Sequence, residues 1–312
     1  MAISRKIRKI FKSQPTIEGA GVHLKRAFGF SQLPLFDPFL LLDDFRSNNP
    51  ADYFKGFPWH PHRGIETITY MLEGKVEHGD SMGNHGVIRA GGVLWMTAGS
   101  GVIHQEMPSG DEHGVMGGFQ LWANIPASQK MNPPRYQEIT AEEIPKLRLE
   151  NGVEISIICG KIGQTEGAVN DIAIDPQYLD ITIPSGISYT HQLTKGYTAF
   201  AYIIEGNGVF CQEDKPCSNE TLILFGDGDT VTVTTGDNAV RFLLISGKPL
   251  NEPIAWYGPI VMNTQAELSR AFEEYQNGTF LKQSKRKQTF GKDSPSLPSC
   301  LFFFQVSQRS SC

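Results

Sequence analysis

The chain has 312 residues, 40% of them hydrophobic and 20% charged, with 32 glycines and 19 prolines. That length exceeds what one hydrophobic core usually serves and predicts two domains, while the glycines and prolines favour many short strands joined by turns. A net charge of −5 lacks the basic bias of proteins that wrap nucleic acid, so no direct nucleic-acid partner is expected.

The N-terminus, MAISRKIRKIFKSQ, has a basic start but no apolar core of signal-peptide length. Ile3, Ile7, Ile10 and Phe11 fall at helical spacing among Lys and Arg, which admits a membrane-surface or transit helix. The preferred reading is an ordinary strand or coil with basic flanks. No apolar run approaches the ~20 residues of a membrane span, so no membrane partner is expected. From about Val22 to Gly247 strand-like segments dominate: Glu66–Leu72, Gly86–Ala90, Gly92–Met96, Glu154–Ile158, Asp180–Ile183, Ala199–Ile204, Thr230–Thr234 and Val240–Ser246. Each is short, rich in Val, Ile, Thr or aromatics, and bounded by Gly, Asp, Asn or Pro. The best helix is Thr264–Tyr275, with Thr264 as cap and Ala266, Leu268, Ala271, Phe272 and Tyr275 as apolar positions. Beyond it lie a basic run, Lys282-Gln-Ser-Lys-Arg-Lys287, a Ser/Pro stretch and Leu301-Phe-Phe-Phe304, read as a disordered tail. The five cysteines (Cys159, Cys211, Cys217, Cys300 and Cys312) are odd in number and form no CxxC pair. They point to a reducing compartment, cytoplasmic and, in a eukaryote, also nuclear.

An internal repeat organises the strands. Tyr70-Met-Leu-Glu-Gly74 matches Tyr202-Ile-Ile-Glu-Gly206 at an offset of 132, and Trp95-Met-Thr-Ala-Gly99 resembles Thr232-Val-Thr-Thr-Gly236 at an offset of 137. Two similar β-domains are implied, closed as barrels or sandwiches. The Pro- and charge-rich stretch Pro126–Leu149 is the natural connector. The expected division is an N-terminal domain 1–135, a connector 136–150, a C-terminal domain 151–281 and a tail 282–312.

The chemistry gathers in two clusters. In Phe57-Pro-Trp-His-Pro-His-Arg-Gly-Ile-Glu66, His60 and His62 are two apart and share one face of a strand. Glu66 has the same parity and could reach the same point. In Gly101-Val-Ile-His-Gln-Glu-Met107, His104 and Glu106 again share a face. Neighbouring strands of one barrel would bring these groups together as ligands for Fe, Mn, Co, Ni, Cu or Zn, with open positions left on the ion. At the repeat offsets the ligands fall on Gln192, Thr194, Arg241 and Leu243, so the second half carries no ligand set and is expected to hold no metal. His191 reads as a surface or core histidine.

His60-Pro-His-Arg-Gly-Ile-Glu-Thr67, Leu72-Glu-Gly74, Asp80-Ser-Met-Gly-Asn84, Gly86-Val-Ile-Arg89 and Trp95-Met-Thr-Ala-Gly99 resemble the signature of the pirin family. Phe36-Asp-Pro-Phe-Leu-Leu-Leu-Asp-Asp-Phe45, Gln120-Leu-Trp122, Tyr136-Gln-Glu138 and Pro249-Leu-Asn-Glu-Pro253 extend the resemblance, which runs from about Gly19 to Phe280. It implies an all-β fold of two tandem cupin (double-stranded β-helix, jelly-roll) barrels with a short C-terminal helix and one divalent metal, usually iron, in the N-terminal barrel. It assigns the ligands to His60, His62, His104 and Glu106, and leaves Glu66 to support them from outside the ligand set. It also implies two function classes. One is a flavonol (quercetin) 2,3-dioxygenase, acting on a small aromatic substrate and dioxygen, in which Glu106 takes the substrate's 3-hydroxyl proton and the heterocycle opens with release of carbon monoxide. The other is an iron-dependent transcription cofactor or signalling protein working through a protein partner. The site chemistry favours the dioxygenase.

Overall fold

The computed structural model describes residues 2–211 and 215–282; Cys300, Cys312, the Phe run and the basic run beyond Lys282 lie outside the described residues. The first half contributes β1 (Ile7–Lys12), β2 (Gln14–Glu18), β3 (Val22–Phe28), β4 (Phe39–Asp44), β5 (Phe57–His62), β6 (Ile65–Glu73), β7 (Lys75–Asp80), β8 (His85–Arg89), β9 (Val93–Thr97), β10 (Val102–Ser109), β11 (Gly117–Asn124) and β12 (Arg135–Ile139). One sheet runs β12-β9-β6-β11-β4-β3-β2 and a second runs β5-β10-β7-β8. Residues of both sheets, among them Leu24, Met71, Val76, Ile88 and Leu94, pack into one core and close the first barrel.

The second half adds β13 (Lys146–Arg148), β14 (Glu154–Cys159), β15 (Lys161–Ile162), β16 (Thr165–Glu166), β17 (Gln177–Ile183), β18 (Ser188–Gln192), β19 (Thr198–Phe210), β20 (Cys217–Ser218), β21 (Thr221–Phe225), β22 (Thr230–Thr234) and β23 (Val240–Gly247). Its main sheet runs β1-β21-β19-β23-β17-β14-β13, with β18 and β22 joined to it through β19. β24 (Ala255–Tyr257), β25 (Ile260–Met262) and α1 (Gln265–Gln276) end the described chain. Thr264 caps α1 as expected, accepting from Glu267 N while Glu267 returns a bond to the cap backbone.

Phe39-Leu-Leu-Leu and Thr221-Leu-Ile-Leu-Phe225 are apolar runs rather than alternations because both faces of these strands are buried. One face lines a barrel. The other joins a core shared between the barrels, where Phe28, Phe39, Leu42, Trp95, Phe119 and Leu121 meet Tyr178, Phe200, Leu222 and Leu243.

The ends of the chain cross the expected domain boundaries. β1 pairs with β21 of the second barrel, so the N-terminal segment is a strand, and not one of its own half. Val261 of β25 packs in the first barrel with Leu40, Ile65, Met96, Ala98 and Val102. The physical reason is edge protection: β12 covers the edge of β9, and β1 covers the matching edge of β21.

The ladders also correct the repeat alignment. Tyr70 lies opposite Val93, as Tyr202 lies opposite Leu222. The counterpart of β9 is therefore β21, not β22 as the offset of 137 implied; the TxG likeness was a coincidence of turn chemistry between loops of different length. His104 lies opposite His60, as Val231 lies opposite His191. Glu106 lies opposite His78, as Val233 lies opposite Phe210. The counterparts of His60, His62, His104 and Glu106 are thus His191, Leu193, Val231 and Val233. Three are apolar side chains in the second barrel's own core. His191 is a buried core histidine held by the Tyr189 hydroxyl at 2.8 Å and Gln177 Oε1 at 2.7 Å, and burial lowers it to about 4.

The repeated tyrosines perform reciprocal tasks. Tyr70 Oη donates to Asp180 of the second barrel at 2.7 Å, and Tyr202 Oη donates to Asp44 of the first at 2.9 Å. Each aspartate also takes two bonds from an arginine, Arg241 or Arg46. Each tyrosine hydroxyl therefore ties one buried, charged cluster across the barrel interface. Tyr70→Phe and Tyr202→Phe should each cost about 1.5–3 kcal/mol, as a hydrogen bond to a charged group does. Denaturant unfolding of both variants checks this; unchanged midpoints would show that the bridges contribute nothing.

Candidate metal centre

β5 and β10 are antiparallel neighbours, and His104 sits directly opposite His60. Alternation along both strands turns His60, His62 and His104 into the first barrel. Their Nε2 atoms converge: His60 lies 3.0 Å from His62 and 3.0 Å from His104. Among the described residues these three form the group able to hold a metal, with candidate ligand atoms all within 4.8 Å of one another.

The hydrogen bonds behind the rings define their protonation. His60 Nδ1 meets Pro58 O at 2.8 Å, and His62 Nδ1 meets Pro259 O at 3.0 Å. A carbonyl only accepts, so both Nδ1 atoms carry the proton and both Nε2 atoms present bare lone pairs to each other. Burial lowers the pKa of all three histidines, and for His62 and His104 the neighbouring imidazoles lower it further. Protons are thus disfavoured where the lone pairs meet, which is what a cation between them would relieve. Two nitrogens about 2.1 Å from one ion at right angles would stand about 3.0 Å apart, so the donor set fits a divalent transition metal.

Glu106 lies on the same face as His104, but its carboxylate is outside the group that closes within 4.8 Å. A register shift relative to β5 falls between His104 and Glu106. Thr69 Oγ1 donates to one carboxylate oxygen at 2.7 Å and Gln120 Nε2 to the other at 3.2 Å, drawing it toward β6 and β11. Burial raises its pKa against these two bonds.

Glu66 is placed differently from expectation. It accepts from Trp95 Nε1 at 3.0 Å and Thr97 Oγ1 at 2.8 Å. It shares the face of β6 that carries Ile68 and Tyr70 into the inter-barrel core, whereas Thr69, which holds Glu106, is on the other face. Parity carried from His62 fails because Gly64, at φ +77°, turns the chain between β5 and β6.

Two residues not singled out from the sequence face the site. His78 and Asp80 on β7 lie opposite Glu106 and His104. His78 Nε2 is 3.1 Å from Glu138 Oε2, and Asp80 accepts from the backbone of Met82 and Asn84. The signal was the same i, i+2 spacing that marked the histidines. The apolar lining comprises Leu40, Met96 and Val102, with Leu33, Met82, Trp122, Tyr136 and Trp256 partly exposed around it. Trp122 stands edge-on to His62 at 5.1 Å.

Two β-barrels, with three converged histidines able to hold a metal ion in the first, define a bicupin. Two family models match in the corresponding halves, Pirin over residues 21–123 and the Pirin C-terminal cupin domain over 178–281. The chain belongs to the pirin family. It is 42% identical over 277 residues to a pirin-like protein of Caulobacter vibrioides, covering 88% of this chain and 99% of that protein. It is 42% identical over 264 residues to a pirin-like protein of Solanum lycopersicum, covering 84% and 88%. A quercetin 2,3-dioxygenase structure from Acinetobacter baumannii superposes with a TM-score of 0.81 at 33% identity, over 89% of this chain and 98% of that one. No helix among the described residues is long and apolar enough to cross a membrane.

The ends of the site are pinned by charge. Arg63, next to His62, donates to Glu274 Oε2 at 2.8 Å, and Lys282 lies 2.6 Å from the same oxygen. Burial pushes the Glu274 carboxyl up, but the bonds from Lys282 and Arg63 outweigh it and hold the group at about 2. A depressed carboxylate stabilises the fold above its unfolded value near 4.5 and loses that contribution as pH falls toward 2. Wild type should therefore lose more stability than Glu274→Gln between pH 4.5 and 2. Parallel acid-side losses in thermal scans would contradict this.

Proposed function

We propose that the protein is a metal-dependent dioxygenase of the quercetin 2,3-dioxygenase type, with Fe(II) as its metal, cleaving a flavonol-like aromatic substrate. The observation that carries this reading is the pair of Nε2 lone pairs on His60 and His62 aimed at each other 3.0 Å apart, beside His104. The likeness to the Acinetobacter baumannii quercetin 2,3-dioxygenase supports the substrate class.

His60, His62 and His104 would hold the metal, with Glu106 as the anionic fourth member. When bound, the metal supplies open coordination positions for a substrate oxygen and for dioxygen. Glu106 accepts the proton of the substrate hydroxyl, and Thr69 and Gln120 keep its carboxylate aimed into the barrel. Trp122, Met82, Tyr136 and Leu33 offer apolar surface to a flat ring and limit water around it. The second barrel, with Leu193, Val231 and Val233 where ligands would stand, holds no metal and serves as scaffold.

The test is anaerobic reconstitution with each divalent metal in turn, followed by admission of air with quercetin. Loss of quercetin with release of one carbon monoxide per turnover supports the reading. Metal uptake without either, for every metal tried, would overturn it.

A further inference from the structure

We propose that the β24–β25 hairpin, with helix α1 behind it, is a working part of the metal centre, positioning His62 through the Pro259 carbonyl. This rests on the metal-binding reading of the three histidines. Pro259 sits in the turn between β24 and β25, and its oxygen accepts the His62 Nδ1–H at 3.0 Å. A carbonyl in this position fixes the ring's tautomer and orientation and raises the ligand's basicity. His60 gives the equivalent bond to Pro58 O on its own strand. His62 gives it to a segment 197 residues away in sequence.

Three clamps hold that carbonyl in place. The first is backbone: Arg63 bridges to Ile260, and Val261 N donates to Arg63 O at 3.1 Å. The approach is so close that a Cβ on Gly64 would stand 2.0 Å from Val261 O. The second is Lys130, only 1% exposed, whose ammonium donates to Gly64 O at 2.7 Å, Val261 O at 3.1 Å and Asn124 Oδ1 at 2.6 Å. Burying an ammonium is costly, and here all three of its acceptors are uncharged. Its bonds join the residue two beyond His62 to the residue two beyond Pro259. The third is Arg63, which donates to Ser100 O, Phe280 O and Glu274 Oε2, each at 2.8 Å, and lies 4.2 Å from the centre of the Phe280 ring. The side chains of Lys130, Arg63 and Glu274 bond to no candidate ligand; they are positioning residues.

The experiment uses the full chain loaded with cobalt(II), read by its visible ligand-field bands and by its rate of release to a chelator. Lys130→Met removes the central clamp and Glu274→Gln loosens Arg63 from outside the barrel. Glu267→Gln replaces the carboxylate that accepts from the cap backbone of the same helix, without touching Arg63, and serves as control. Lys130→Met should speed cobalt release about 10- to 100-fold and shift the ligand-field bands, in the range that loss of support behind a ligating histidine produces. Glu274→Gln should show the same band shift with a smaller rate effect, and Glu267→Gln neither. If Lys130→Met does not fold, Glu274→Gln decides alone. Unchanged bands and release within twofold of wild type would overturn the inference and leave the metal reading standing, as would a Glu267→Gln effect equal to that of Glu274→Gln. Failure of wild type itself to take up cobalt would overturn the metal reading instead.

Discussion

His104→Ala should weaken metal binding by more than about a hundredfold, a larger loss than removing a group behind a ligand produces, while leaving the barrel folded. His104 supplies one of three converging nitrogens, and its loss leaves His60 and His62 as a pair. The fold has little reason to collapse. The second barrel closes with a valine, Val231, at the matching place. In the metal-free protein the substitution removes a crowded imidazole, the one of the three whose Nδ1 has no hydrogen-bond partner. The apo variant should thus be at least as stable as the apo wild type. Metal analysis after dialysis, with circular dichroism, checks both halves. A full equivalent of retained metal would sink the ligand assignment; a lost β signature would sink the argument from the second barrel.

The two buried glutamates should separate cleanly. Glu106→Gln is expected to lower flavonol turnover by about 10²–10⁴, the usual contribution of a positioned base. It should weaken the metal without abolishing it, because the three histidines close as a group without the carboxylate. Glu66→Gln should keep both metal and turnover and instead cost stability. The native carboxylate accepts from Trp95 and Thr97 at once. A glutamine has one accepting oxygen and would set an NH2 against the remaining donor, at about 1–3 kcal/mol for the unsatisfied group. Metal content, turnover and unfolding midpoint of the two variants, taken side by side, decide. Loss of metal on Glu66→Gln together with its retention, and unchanged turnover, on Glu106→Gln would reverse the two roles.

What was legible in the sequence depended on how local the determining physics was. His60 and His62 on β5, and His104 on β10, were found by alternation alone, because each pair of positions lies in one uninterrupted strand. Glu66 was misplaced by the same rule carried across Gly64, whose positive φ resets the face. His78 and Asp80 obeyed the rule and went unread, since HxD lacks the second histidine that drew attention to HxH. The Tyr70 and Tyr202 motif aligned the repeat correctly because both sit in the strand that each barrel places against the other. The second alignment failed because loops vary in length while strand order does not. Pro259 could not have been found at all: its role comes from a carbonyl, which every residue possesses, brought close by tertiary packing.

The exchange of chain ends between the barrels has a consequence for synthesis. A ribosome delivers Ile7–Lys12 first, yet that strand has no ladder partner until Thr221–Phe225 is made. Ile3 likewise finds the Asp229 carboxylate only across 226 residues of chain. The barrel that carries the histidine cluster, although encoded first, waits for Val261 and Phe280 before its packing is complete. The first half therefore cannot finish before the second is made, unlike the domain-after-domain order general to multidomain chains. The nascent chain carries an unpaired edge strand until Thr221–Phe225 is made, and loop closures of this span are slow. The histidine cluster acquires its final geometry later still, once Pro259 and Val261 reach the first barrel.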